Sequence, residues 1–259
     1  MKRWILVTFL MLLFVKVEGD ESVFVLSIPK SGTFLIGKYI NLVQEKVPNS
    51  GLRFCPSHLS EVESGLPKGF FRENPETKKI IMIRDLRDVF CSSLNHINNR
   101  KHYLQSSIDF DSKWYLLSQK EQLIQVIDYS RGSRKDFYWS YHGKSIPQKL
   151  HDFIARAIEY SKYPNTCVVR FENLVGPNGG GSKEAMRCEM KMINDFLDFS
   201  LEDEQYADIM SHLFGGTMTF NKGHMNRWKD EFDDELKELF KQWYGQELID
   251  LGYEKDFNW

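Results

Sequence analysis

A largely apolar run, Val23-Phe-Val-Leu-Ser-Ile28, stops at Pro29-Lys-Ser-Gly-Thr33 and gives way to apolar residues at helical spacing as far as Ile40. β-Branched and aromatic residues in such a run fit a strand covered on both faces, as in a parallel sheet. Pro29 has no N–H to give a ladder, so the strand ends there. Gly32 lets the backbone pass close to a ligand. Lys30, Ser31 and Thr33 place a cation and two hydroxyls where the first N–H groups of the next helix lack partners. The turn therefore predicts a phosphate or sulfate site at a strand-to-helix junction. It is not a Walker A loop, because the leading glycine is missing and the lysine precedes Gly32. The competing reading of these residues alone is a tight turn with a solvated lysine.

The design is repeated at Lys78-Lys-Ile-Ile-Met-Ile-Arg84-Asp-Leu-Arg-Asp88, where a second apolar strand runs into charge and then a helix. Open α/β sheets bind ligands at the carboxyl ends of their strands, so Arg84 is expected to face the same crevice as Lys30. Ser92 follows eight residues later, about two turns beyond the strand, and can join Arg84 at one anion. The competing reading pairs Arg84 with Asp85 or Asp88 as a surface ion pair.

Together the two segments resemble the sulfotransferases that use 3′-phosphoadenosine 5′-phosphosulfate (PAPS). The resemblance implies a single α/β domain over residues 20–259, with a central parallel sheet flanked by helices and a P-loop-like sulfotransferase fold. It implies that Lys30, Ser31, Gly32 and Thr33 hold the 5′-phosphosulfate and that Arg84 and Ser92 hold the 3′-phosphate. A third segment, Phe220-Asn-Lys222-Gly223-His-Met-Asn-Arg227-Trp228-Lys229, is similar to the family's Arg-Lys-Gly and Trp-Lys region. Lys222 and Gly223 are thereby expected to close over the nucleotide. Val168-Val-Arg-Phe171-Glu172 is similar to the third core strand, with Phe171 at the position of a cofactor-side tyrosine whose hydroxyl it lacks. Other departures are Asn221 where an arginine is usual, and Phe34-Leu35 where Thr-Trp is usual; Arg227 or Lys229 are candidates to make up the missing charge.

Sulfuryl transfer requires a base for the acceptor proton and a cation for the departing phosphate oxygen. Histidine suits the first task because it titrates near neutral pH. His58, in Pro56-Ser-His58-Leu59, lies where the family has a catalytic His-Leu pair. It is the expected base, with Lys30 at the leaving phosphate. His96 is second choice, and the longer interval from His58 to Arg84 implies an insertion around residues 61–69. No metal is expected: Cys55, Cys91, Cys167 and Cys188 have no zinc-type spacing. The acceptor would be a hydroxyl or amine of a small molecule, lipid or carbohydrate. Two rivals stand beside this reading: an ATP-dependent phosphotransferase of kinase type, and a secreted, catalytically inactive binding protein of the same fold.

The chain has 259 residues, 42% hydrophobic, enough to bury a sizeable core. A formal net charge of -2 gives no general attraction to nucleic acid. Met1-Lys-Arg3 followed by the apolar run Trp4–Val15 reads as a signal peptide over residues 1–19, too short for an ordinary membrane span. It predicts cleavage near Gly19-Asp20 and a secretory lumen, periplasm or secretion as the destination. If left uncleaved, the segment would be an apolar anchor on a membrane-associated or cytoplasmic protein. Helical periodicity is expected over 118–127, over 146–158 and as a helix pair over 230–251, with a flexible glycine-rich loop at 176–182.

Overall fold

The computed structural model describes residues 21–48, 51–59, 65–99, 114–130, 139–141, 144–146, 150–217 and 222–259. The N-terminal apolar run, Asn221 and residues 61–64 of the expected insertion lie outside them.

Four parallel strands form the centre: β1 (Glu21–Ser27), β2 (Leu52–His58), β3 (Lys79–Ile83) and β6 (Thr166–Arg170), in the order β2-β1-β3-β6. A two-stranded antiparallel pair, β4 (Trp139–Tyr141) and β5 (Lys144–Ile146), stands apart from it. The apolar sequence of β1 and β3 fits their place in the middle, where every β3 residue is buried. Strand alternation divides β1 between two cores. Phe24, Leu26 and Ile28 pack on one face with Ile81 and Ile83; Val23 and Val25 pack on the other with Ile80, Met82 and Val169.

Helices cover both faces. The first core is closed by α3 (Leu86–Asn99), α4 (Gln119–Ser130), α5 (Leu150–Tyr160) and α10 (Asp234–Asp250). The second is closed by α1 (Thr33–Lys46), α7 (Lys183–Phe196) and α8 (Asp203–Leu213). Short helices α2 (Phe70–Glu73), α6 (Phe171–Leu174) and α9 (Trp228–Glu231) lie at strand and segment ends. Leu236, Phe240, Tyr244 and Leu248 are the buried stripe of α10, each worth about 1.5–3 kcal/mol of removal from water. Asp233 caps that helix by accepting the Leu236 N–H at 2.9 Å.

Two local expectations change. Ile146, expected to open a helix, ends strand β5 instead, as a residue before proline favours extended geometry, and the helix is described over Leu150–Tyr160. The glycine-rich stretch 176–182 is a packed turn. A Cβ at Gly179 would stand 2.6 Å from the Gly223 carbonyl oxygen, so glycine is there for close approach and not as a linker.

The parallel register sets the carboxyl ends side by side. Ser27 is level with His58 on one flank and Met82 on the other, and Ile83 is level with Arg170. Everything at the candidate site hangs from this edge.

Candidate functional site

The Pro29–Thr33 turn leaves the centre of that edge. Lys30 (φ 70°) and Gly32 (φ 107°) are both left-handed, and turns containing such residues make concave runs of N–H groups suited to anions. Helix α1 then starts with no side-chain cap and no acidic residue in its first turn. The positive end of its dipole is left uncompensated for an incoming anion. Gly32 is required on a second count: a Cβ there would come within 2.8 Å of Phe171 and 2.9 Å of Met82.

The side chains of this turn behave differently from the expectation of two ligand-facing hydroxyls. Ser31 is fully buried, and its hydroxyl lies 2.6 Å from the Ile28 carbonyl and 2.9 Å from that of Met82. Its one proton is directed into the sheet, so Ser31 shapes the loop instead of lining its mouth. Thr33 Oγ1 and Ser27 Oγ lie 2.7 Å apart, tying the start of α1 to the end of β1. The cradle is thus built from backbone, with Lys30 as its cation.

Arg84 leaves β3 beside the turn and is 6% exposed. Its Nη1 donates to the Lys30 carbonyl at 3.4 Å and its Nη2 to the His224 carbonyl at 2.9 Å, with Asp88 Oδ2 3.4 Å from Nη2. The guanidinium lies over the Phe171 ring, 4.3 Å from its centroid. Its buried Nε has no hydrogen-bond partner. Arg84 and the Lys30 turn are therefore brought together as expected. Ser92 stands two turns along α3, partly buried, and is not among Arg84's partners.

Phe171 is buried beneath both elements, packing where a Gly32 side chain would go while carrying Arg84 on its face. Here the tyrosine-like position acts as an apolar platform. Glu172, next to it, accepts the Asp85 N–H at 2.9 Å and the Tyr253 hydroxyl at 2.8 Å. Burial raises its pKa, against those two bonds.

The Lys222–Trp228 segment crosses the same edge. Asp88, whose side chain is fully buried, accepts the Asn226 N–H on Oδ2 at 2.8 Å and the Trp228 N–H on Oδ1 at 3.0 Å. Burial raises the Asp88 pKa, with Arg84 and the two N–H donors acting in the opposite direction. The Met225 N–H donates to the Gly179 carbonyl at 3.0 Å, which explains the close approach of the 176–182 turn. Lys222 is exposed, Gly223 is left-handed (φ 65°), and Arg227 is held by Glu231 at 2.6 Å. Neighbouring Arg87 lies between the Trp228 and Trp259 rings, at 3.8 and 4.5 Å, with Asp85 and Glu254 each at 2.7 Å.

His58 ends β2, level with Ser27 and therefore beside the turn. The Leu59 N–H donates to the Ser27 carbonyl at 2.9 Å, and Arg156 Nη1 donates to the Leu59 carbonyl at 2.9 Å. Phe153 meets the imidazole edge-on at 6.2 Å. His58 and Arg84 thus leave strands on opposite sides of β1. His96 lies ten residues into α3 from Leu86, about 15 Å along its axis and away from the strand ends. The segment contacts of Asp88 escaped the sequence reading, in which it appeared only beside Asp85 as a surface partner of Arg84 in the competing interpretation. The only sequence signal was the four-residue spacing between them.

The four cysteines are free, Cys91 and Cys167 being buried, and burial pushes the Cys167 thiol up to about 12. Among the described residues no group of three or more His, Cys, Asp or Glu gathers as a metal site, and no helix is long and apolar enough to cross a membrane.

The fold is that of solved sulfotransferases. A mouse sulfotransferase, SULT7A1, complexed with PAP, superposes with a TM-score of 0.60 at 16% identity, covering 88% of this chain and 84% of that one. Retinol dehydratase in a complex with retinol and PAP gives 0.54 at 16% identity, covering 88% and 81%. No curated protein sequence matches. The sulfotransferase domain matches residues 40–252, a span that contains His58, Arg84, Ser92, Phe171 and the Lys222–Trp228 segment and begins just after the Lys30 turn. On that match the chain belongs to the sulfotransferase domain family.

Proposed function

We propose that this protein transfers a sulfuryl group from PAPS to a hydroxyl or amine of a small-molecule, lipid or carbohydrate acceptor. The observation that carries the reading is Arg84. It is a buried cation with an unpartnered Nε, fastened to the Lys30 carbonyl at the carboxyl edge of a sulfotransferase sheet. The residues present fit a nucleotide with phosphates at both ends. The turn offers left-handed Lys30 and Gly32 ahead of an uncapped helix N-terminus, and Arg84 offers a second anion anchor with donor capacity to spare. The two structural relatives hold PAP, the nucleotide that PAPS becomes once its sulfuryl group has left, which supports PAPS as the donor for this chain.

PAPS, when bound, supplies the activated sulfuryl group. Lys30 and the N-terminus of α1 would hold its phosphosulfate end and balance charge on the oxygen that leaves sulfur. Arg84, with Ser92, Lys222 and Gly223, would hold the 3′-phosphate. His58 would accept the acceptor's proton as that oxygen or nitrogen bonds to sulfur in line with the departing phosphate. Phe171 would keep Arg84 in plane above the turn.

The test is calorimetric titration with PAP of the wild type and Arg84→Ala, followed by sulfate transfer from labelled PAPS across an acceptor panel. The reading requires binding by the wild type and its loss in the variant. No binding by the wild type overturns it. Transfer lost by about 10²–10⁴-fold in His58→Ala, with PAP affinity retained, supports the base; full activity there moves the role elsewhere. Binding without transfer to any acceptor favours the inactive binding protein. The residue 1–19 signal is proposed to direct the chain into a lumen or periplasm. N-terminal sequencing of the cell-made protein should then begin at Asp20, and Met1 at that terminus would refute cleavage.

A further inference from the structure

We infer that Asp88 is a positioning residue of the nucleotide site, fastening the Lys222–Trp228 segment and Arg84 into one unit; this rests on the proposed nucleotide reading. Both carboxylate oxygens are in use. Oδ1 takes the Trp228 N–H, and Oδ2 takes the Asn226 N–H while facing Arg84 Nη2. Arg84 completes the ring by donating to the His224 carbonyl from the same Nη2.

The segment has reason to need such a fastening. Asn226 is left-handed (φ 62°), as is Gly223 (φ 65°), so the segment turns sharply twice within four residues in a region most residue types avoid. Helix α9 is a single turn and Arg227, its N-cap, makes no side-chain cap hydrogen bond. Asp88 takes over that task from a distant helix, as a carboxylate near exposed N–H groups should. Being fully buried, it does so where water does not compete for the N–H groups. The same carboxylate opposes the charge of Arg84, so the guanidinium is held with its Nε unengaged.

Two consequences separate this role from ordinary stabilisation. In Asp88→Asn the amide keeps one acceptor for Trp228 but turns N–H₂ toward the Asn226 N–H and Arg84. PAP affinity should then fall about 10- to 100-fold, the scale of lost charge-assisted hydrogen bonds. Tyr206→Phe supplies the comparison. It removes a buried hydrogen bond to Asn194 in the opposite core, and should lower stability while leaving PAP affinity within twofold.

Calorimetric titration with PAP is run on the wild type and both variants at a temperature where all are folded. Amide hydrogen exchange across residues 222–229 is measured on the wild type with and without PAP. Weaker binding by Asp88→Asn alone, and Asn226 and Trp228 amides whose protection rises with PAP, support the inference. Wild-type binding with unchanged affinity in Asp88→Asn overturns it and leaves the nucleotide reading intact. No PAP binding by the wild type overturns both. If Asp88→Asn does not fold, the exchange measurement decides: unprotected Asn226 and Trp228 amides in both states overturn the inference.

Discussion

The two ends of the candidate site are made of different material. At the Lys30 turn, the groups offered to an anion are backbone N–H groups and a helix N-terminus, while Ser31 and Thr33 turn their hydroxyls to the sheet and to Ser27. At the Arg84 end the work falls to buried side-chain charge, with Arg84, Asp88 and the 224–228 backbone in one network. A backbone cradle depends on shape more than on the identity of its side chains. A charge network depends on each partner, because removing one strands another without water.

That contrast can be broken in a definite order. Arg84→Ala should have the largest effect, about 3–5 kcal/mol in urea unfolding, since it leaves the Asp88 carboxylate buried without its cation. A loss below 1 kcal/mol would mean that the network carries little. Gly32→Ala comes next at about 2–4 kcal/mol, combining left-handed strain with overpacking against Phe171 and Met82. Phe171→Leu in the same background should recover part of that loss by opening space. Ser31→Ala should be milder, about 1–2 kcal/mol from a buried hydroxyl whose two carbonyl partners also have backbone bonds nearby.

The smallest and sharpest effect is in pH. Asp88 has a folded pKa above its unfolded value, so the folded state binds more protons and this group's contribution is complete below the unfolded pKa of about 4. It is lost as pH rises through the folded pKa. The stability difference between wild type and Asp88→Asn should therefore narrow from pH 4 upward. A difference that widens with pH would show that pairing with Arg84 outweighs burial.

The sequence made some of this legible and hid the rest for physical reasons. The β1 turn, the β3 turn and their shared edge were readable because apolar runs and their interruptions are local signals. The strand Leu52–His58, which sets His58 level with Ser27, was not read from the sequence. The inward hydroxyl of Ser31 was not readable, since its second carbonyl belongs to Met82 on another strand. Nor was the burial of Asp88, whose donors Asn226 and Trp228 come from the far end of the chain. An aspartate one turn after an arginine looks like a surface pair until a third segment covers it. The extended Ile146 was foreshadowed by the proline that follows it, a signal that the apolar periodicity beyond it overrode.

The distances along the chain between these partners have a consequence for synthesis. The Lys30 turn is translated early, yet its Ser31 tether waits for Met82, its floor waits for Phe171, and the segment fastened to Asp88 beside it waits for Trp228. Between Thr33 and Trp228 lie about 200 residues, on the order of 10–40 s of ribosome time. For most of that interval β1 already has β2 and β3 beside it, while the segment that ties Arg84 and Asp88 together at the candidate site has yet to be made.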